Sequence, residues 1–138
     1  MDLPKHPLVQ ALRQKARITI DYTPAVRQTA GIGRYTRELV EALAALDHDN
    51  EYQLFCAGEG APRQDWPENF EVRTSRIPSR WLTTGWHRLR LPLAAERIVG
   101  ECDLFHSTDF ALPPLRRARG VVTVHDLSFM RVPSCTDP

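Results

Sequence analysis

The spacing of apolar residues changes twice between residues 17 and 57, and this restricts the fold more than any other feature of the chain. Arg17-Ile18-Thr19-Ile20-Asp21-Tyr22 alternates, with Ile18, Ile20 and Tyr22 on one side, and its β-branched content marks a strand. From Gly31 the step lengthens. Ile32, Tyr35, Leu39, Leu43 and Leu46 recur every three or four residues and predict one apolar face of a helix. Arg34 with Glu38, and Arg37 with Glu41, stand at i,i+4 on its other side. The polar turn Asp47-His48-Asp49-Asn50 ends this helix, and Glu51–Ala57 is a second strand.

The same pattern continues downstream. Residues 70–74 alternate as a third strand and residues 103–106 form a short fourth. Residues 120–125 form a near-continuous apolar run, which suits a strand buried on both faces of a parallel sheet. Residues 23–30, interrupted by Pro24, and residues 58–67 read as loops. Pro92 predicts a helix start for residues 93–99, and residues 113–119 have room for one helical turn. Strands that alternate with helices predict an α/β domain with a mainly parallel sheet flanked by helices. In this division residues 1–16 are an N-terminal extension, where Leu8, Val9 and Leu12 suit a short docking helix. Residues 17–138 are expected to be a partial domain, because a full domain of this type adds further strand–helix units.

Composition excludes several classes. A chain of 138 residues suits one core. With 42% hydrophobic and 25% charged residues it reads as a soluble globular protein, and a net charge of +1 gives no global sign of nucleic-acid binding. Cys56, Cys102 and Cys135 form no C-x-x-C pair, so neither a zinc site nor a disulfide framework is indicated. Cys56 and Cys102 are expected in the core, and a reducing cytoplasm fits. The sequence has no signal-peptide pattern and no apolar run near the ~20 residues of a membrane span.

In an open parallel sheet, ligands bind beyond the carboxyl ends of the strands. That rule selects Asp21-Tyr22 leading into Gly31-Ile32-Gly33, then His106-Ser107-Thr108, then His125-Asp126. Gly31 and Gly33 open a helix whose free N–H groups attract an anion, and Arg34 adds positive charge, although the same G-x-G is also an ordinary turn. The pattern is neither a P-loop nor a complete G-x-G-x-x-G, since position 36 is Thr. His125 at a strand end suits a bond to a sugar hydroxyl or phosphate, and His106 is a weaker candidate of the same kind. Asp47-His48-Asp49 imitates a D-x-D metal motif but falls at the opposite edge, where a solvated turn is expected. Arg80, Trp81, Trp86, His87, Arg88, Leu89 and Arg90 make residues 80–97 basic and aromatic, a candidate for peripheral contact with an anionic membrane or for holding an acceptor, although a helix packed by its apolar side with arginines in solvent has the same pattern. Arg116, Arg117 and Arg119 read as a solvated turn.

Ile18-Thr19-Ile20-Asp21 followed by Thr29-Ala30-Gly31-Ile32-Gly33-Arg34-Tyr35-Thr36-Arg37-Glu38-Leu39 resembles the opening of many family 4 (group 1) glycosyltransferases. Asp103-Leu104-Phe105-His106, Leu112-Pro113-Pro114, and Val121 through Phe129 are similar to later parts of the same N-terminal domain, so the resemblance covers about residues 17–133. It implies the Rossmann-like, acceptor-side half of a GT-B architecture. The implied reaction moves a hexosyl group, mannosyl or glucosyl, from a nucleotide sugar to a glycan or lipid-linked acceptor in polysaccharide assembly. It implies retained configuration and no cofactor or essential metal. By position, His125 matches the cleft histidine with a catalytic role, while Gly31, Ile32, Gly33, Arg34, His106 and Asp126 fall at substrate-binding positions. The family's donor-binding residues lie in a C-terminal domain that this sequence lacks, so the 138-residue chain alone is expected to be inactive and, with an open sheet edge, to self-associate. The expected location is cytoplasmic, extending to the inner membrane face. The alternative is a non-catalytic α/β binding module derived from such a domain.

Overall fold

A computed structural model describes residues 15–126 apart from residues 59 and 61. The docking helix expected around Leu8, Val9 and Leu12, the stretch from Leu127 to Phe129, and Cys135 lie outside the described residues. The strands are β1 (Arg17–Asp21), β2 (Glu51–Ala57), β3 (Phe70–Ser75), β4 (Leu104–Ser107) and β5 (Arg119–Val122). They form one parallel sheet in the order β3-β2-β1-β4-β5. The helices are α1 (Thr23–Arg27), α2 (Ile32–Leu46), α3 (Ser79–Thr83) and α4 (Glu96–Val99), with a π-helical turn, Thr84–Arg88, directly after α3. This is the Rossmann-like α/β arrangement that the alternation of periods predicts.

Strand alternation builds two cores. Ile20 and Tyr22 of the β1 segment join Tyr52, Leu54 and Cys56 of β2 on one face, covered by Ala25 of α1 and Val40 of α2. Phe55, Ala57 and Phe105 point to the other face, where Leu82, Ala95 and Val99 cover them. β2 lies between two strands and has a core on each face, which is why six of its seven residues are buried. Cys102 is half-buried beside the second core.

Five local expectations are corrected. Residues 23–27 are helical rather than loop. Pro24 sits in the first turn of α1, where its missing N–H costs nothing. The buried stripe of α2 is Gly33, Thr36 and Val40. It is not the larger apolar set, since Leu46 is 81% exposed and Tyr35 is 36% exposed. α1 lies so close that small residues must face it.

Residues 93–95 are not helical. The N–H of Ala95 donates to the carbonyl of Pro114 at 2.8 Å, so α4 begins only at Glu96 and ends at Gly100, whose φ is 91°. Helix forms earlier in the segment, after Pro78, as α3 and the π-helical turn. Among the described residues β5 is an outer strand with all four residues exposed, not a strand buried on both faces. An apolar run is the same at the centre of a sheet and at its rim, and only the pairing order distinguishes them.

Residues 113–119 hold no helical turn. Instead the N–H groups of Arg116, Arg117 and Ala118 converge on Oε1 of Glu96 at 2.8, 2.9 and 3.0 Å. Burial opposes ionisation of Glu96, but these donors outweigh it and pull the carboxyl down to about 2. A depressed carboxyl stabilises the fold above its unfolded value near 4.5 and loses that contribution as pH falls toward 2. Glu96→Gln is expected to lose roughly 1–2 kcal/mol at neutral pH, the difference between charged and neutral acceptors. Urea titrations of both proteins should show this gap closing between pH 4.5 and 2. A gap that does not vary with pH would show that the ionised nest is not the cause.

Candidate functional site

β1 pairs with β2 on one side and β4 on the other, and the order of strands reverses there. Loops leaving β1 and β4 therefore diverge and open a crevice at their carboxyl ends. The hydroxyl of Thr108, just past β4, donates to the carbonyl of Asp21 at 2.9 Å and fixes the two strand ends together. A cavity of about 420 Å³ opens here, lined among others by Asp21, Arg27, Phe55, Ser79, Trp86 and Asp109.

Burial pushes the carboxyl of Asp21 up from its ordinary value. Bonds from Thr23, including Thr23 N to Oδ1 at 3.0 Å, act against this, and the nearby charge of Asp109 adds to the rise. Two carboxylates with different environments thus share one polar pocket. The strand-end rule pointed to Asp21, but nothing in the spacing marked Asp109, Ser79 or Trp86 as its neighbours. Tyr22, by contrast, is buried and packs edge-on against Trp66 at 6.0 Å.

The two glycines before α2 serve different purposes. Gly31 has φ 60° and ψ −123°, a backbone region open essentially to glycine alone, and a Cβ there would meet nothing within 4 Å. It sets the chain direction and leaves open space in front of a helix start that has no side-chain cap. Gly33 is buried, and a Cβ would overlap the carbonyl oxygen of Gln28 and lie 2.7 Å from that of Pro24. Its smallness brings α1 and α2 together rather than admitting a ligand. Ile32 is half-buried. The Arg34 side chain is 76% exposed and reaches toward Glu38 at 4.0 Å.

Arg37 does not pair with Glu41, which meets Arg63 at 3.5 Å instead. The Arg37 guanidinium donates to the carbonyls of Ala25, Gln28 and Thr29 at 2.6, 2.8 and 2.8 Å. It closes the end of α1 and shapes the approach to Gly31. Arg37→Ala is expected to cost about 2 kcal/mol, since charged donors would leave three carbonyls. Arg37→Lys should restore only part, because an ammonium lacks the planar fork. Urea unfolding, together with faster amide exchange across residues 28–33, checks this.

His125 stands at the same rim. Its Nε2 donates to the carbonyl of Thr108 at 2.8 Å. A carbonyl only accepts, so Nε2 carries the proton and Nδ1 is left to meet a ligand. Tyr35, in the first turn of α2, packs edge-on against the His125 ring at 5.0 Å, and Phe110 does so at 5.7 Å. These contacts bring the helix that starts at Gly31, the end of β4 and the end of β5 to one place. Burial pushes His106 below its ordinary value. Its Nε2 lies 2.8 Å from Oγ1 of Thr123, which is 3.3 Å from the hydroxyl of Tyr35. His106 is therefore the support beneath the rim, and His125 and Asp126 are exposed upon it.

Sequence reasoning missed Tyr35, Phe110 and Thr123. By spacing Tyr35 falls on the core face of α2, and only its exposure near the helix start reveals another use. Asp47-His48-Asp49 is at the opposite rim. Asp47 accepts from Tyr52 at 2.6 Å and from Asn50 at 2.7 Å, so its carboxylate holds a turn, and these donors keep it well below the usual range.

A family model described as "Glycosyl transferase 4-like domain" matches residues 30–136. Neither a curated protein nor a solved structure matches the chain.

Proposed function

The chain belongs to the glycosyl transferase 4-like family, and we propose that it forms the acceptor-side domain of a GT-B glycosyltransferase. The substrates of such a domain are a sugar donor and an acceptor. In this reading the donor is a nucleotide sugar, the transferred group is hexosyl, and the acceptor is a glycan or lipid-linked sugar. Transfer retains configuration and uses no metal or cofactor of its own.

The observation that carries the proposal is the convergence at the switch point of the sheet. His125, held by Thr108 and flanked by Tyr35 and Phe110, stands with Gly31, Asp21 and Asp109 at one carboxyl-end rim. The pocket beside Asp21 offers what a sugar acceptor needs. Carboxylates accept from hydroxyls, Arg27 and Ser79 are polar, and Trp86 supplies an apolar ring. Nδ1 of His125 accepts from a sugar hydroxyl when neutral and donates to a phosphate oxygen when protonated. Gly31, Ile32, Arg34 and Asp126 complete the substrate side as backbone and charge around the start of α2, while Gly33 supports them from beneath through the contact of α1 with α2. The uncapped N–H groups of that helix suit the negative charge that grows on a leaving diphosphate.

The test is a titration of the His125 ring resonances with nucleotide-hexoses and with acceptor glycans, and with His125→Ala as control. Sugar-dependent shifts confined to this rim support the proposal. Shifts elsewhere, or none with any sugar class, overturn it.

A further inference from the structure

One stretch of the surface has a composition that neither core nor site explains. From Val72 to Ala95 there is no acidic residue, while Arg73, Arg76, Arg80, Arg88 and Arg90 all fall inside it. Arg73 is occupied by Glu71 at 3.3 Å and by the carbonyl of Val99 at 3.1 Å. The other four are exposed and have no ion-pair partner among the described residues. Each is followed directly by an exposed apolar side chain: Ile77, Trp81, Leu89 and Leu91, the most open being Trp81 at 61% and Leu89 at 64%.

This shelf is anchored rather than loose. Leu82 is buried in the second core, and Trp86 packs against that core while its indole N–H donates to the carbonyl of Leu93 at 2.8 Å. Inward residues hold the segment, so the outward arginines and apolar groups form a fixed feature of the folded chain. No helix among the described residues is long and apolar enough to cross a membrane. A surface contact needs none.

We propose that residues 76–91 form a docking shelf for the surface of an anionic lipid bilayer. Arginines attract acidic headgroups, and the indole of Trp81 with the leucine side chains suits the boundary between headgroups and acyl chains. Charge complementarity favours lipid over an apolar protein groove, because four unpaired arginines would have to be desolvated in such a groove. Ser79, Leu82 and Trp86 of this same segment line the cavity that contains Asp21 and Asp109. The shelf therefore borders the crevice. Resting on the function proposed above, the acceptor it serves is one whose sugar stands on a lipid in that bilayer.

The test is co-sedimentation of the chain with phosphatidylcholine vesicles made with or without phosphatidylglycerol, in the absence of any sugar. Binding is expected only with the anionic lipid and should fall as salt is raised. Arg80→Gln with Arg88→Gln should weaken it by about tenfold or more. Trp81→Ser should weaken it without altering the circular dichroism, because Trp81 is outside both cores. Equal binding to neutral vesicles, or none to either, overturns the proposal. So does a lipid-free dimer that Trp81→Ser dissolves, which would assign the shelf to a second copy of the chain. If vesicle binding fails while His125 still responds to sugars, the lipid contact falls and the glycosyltransferase reading stands.

Discussion

Gly33→Ala is expected to destabilise the chain by roughly 3 kcal/mol, more than Gly85→Ala, whose Cβ would meet only the end of the Leu91 side chain. In isolation the change favours α2, since alanine gains about 1 kcal/mol over glycine in a helix interior. The surroundings reverse the sign. The new Cβ would overlap the Gln28 carbonyl and stand 2.7 Å from that of Pro24, and both are main-chain atoms that no rotamer change can clear. α1 and α2 must separate, and the three carbonyls held by Arg37 move with α1. Urea unfolding gives the stability loss, and amide exchange in residues 23–33 should rise most. Unchanged stability would mean that the two helices are not in the close contact described. Gly31→Ala separates sterics from conformation, because its Cβ meets open space and only the positive φ is strained.

His125→Ala carries the second large effect, and it falls on function rather than stability. The ring is exposed, so its loss should change stability by less than about 1 kcal/mol. In a transferase that includes this domain, turnover should fall on the order of 100-fold, the usual loss when one donor aimed at developing charge is removed. Most of this loss should appear in kcat, since a group that acts on charge arising in the transition state adds little to ground-state binding. Steady-state kinetics with stability measured alongside decide the matter. A large rise in KM with kcat intact would move His125 from the reacting centre to simple acceptor binding. Thr108 cannot be tested in the same way, because its hydroxyl also holds the end of β1.

Some of this was visible in local patterns. The five strands, the long α2 and the parallel sheet follow from period and β-branched content, since each strand face must meet a core. His125, His106 and the Gly31 turn could be placed at one rim because parallel strands end on one side. The family resemblance in residues 17–133 is carried by strand ends and the glycine turn, which are short and local.

Other features depended on distance in sequence. Nothing near Glu96 announces that Arg116, Arg117 and Ala118 will enclose it twenty residues later. Arg37 had an obvious local partner in Glu41 and took three carbonyls instead, because α1 folds back against α2. Tyr35 fits an apolar stripe by spacing, yet the contact of Gly33 with α1 rotates the helix and leaves Tyr35 for the His125 ring.

Hydrophobic period and strand direction are properties of short segments, so the order and type of the main elements, and the rim at which the candidate residues meet, are legible in the chain before it folds. The tertiary structure alone decided which glycine packs and which one turns, which strand is outermost, and which partners Asp21 and His125 receive. Those outcomes depend on how closely distant segments approach, and a few tenths of an ångström between α1 and α2 are not encoded in any local spacing.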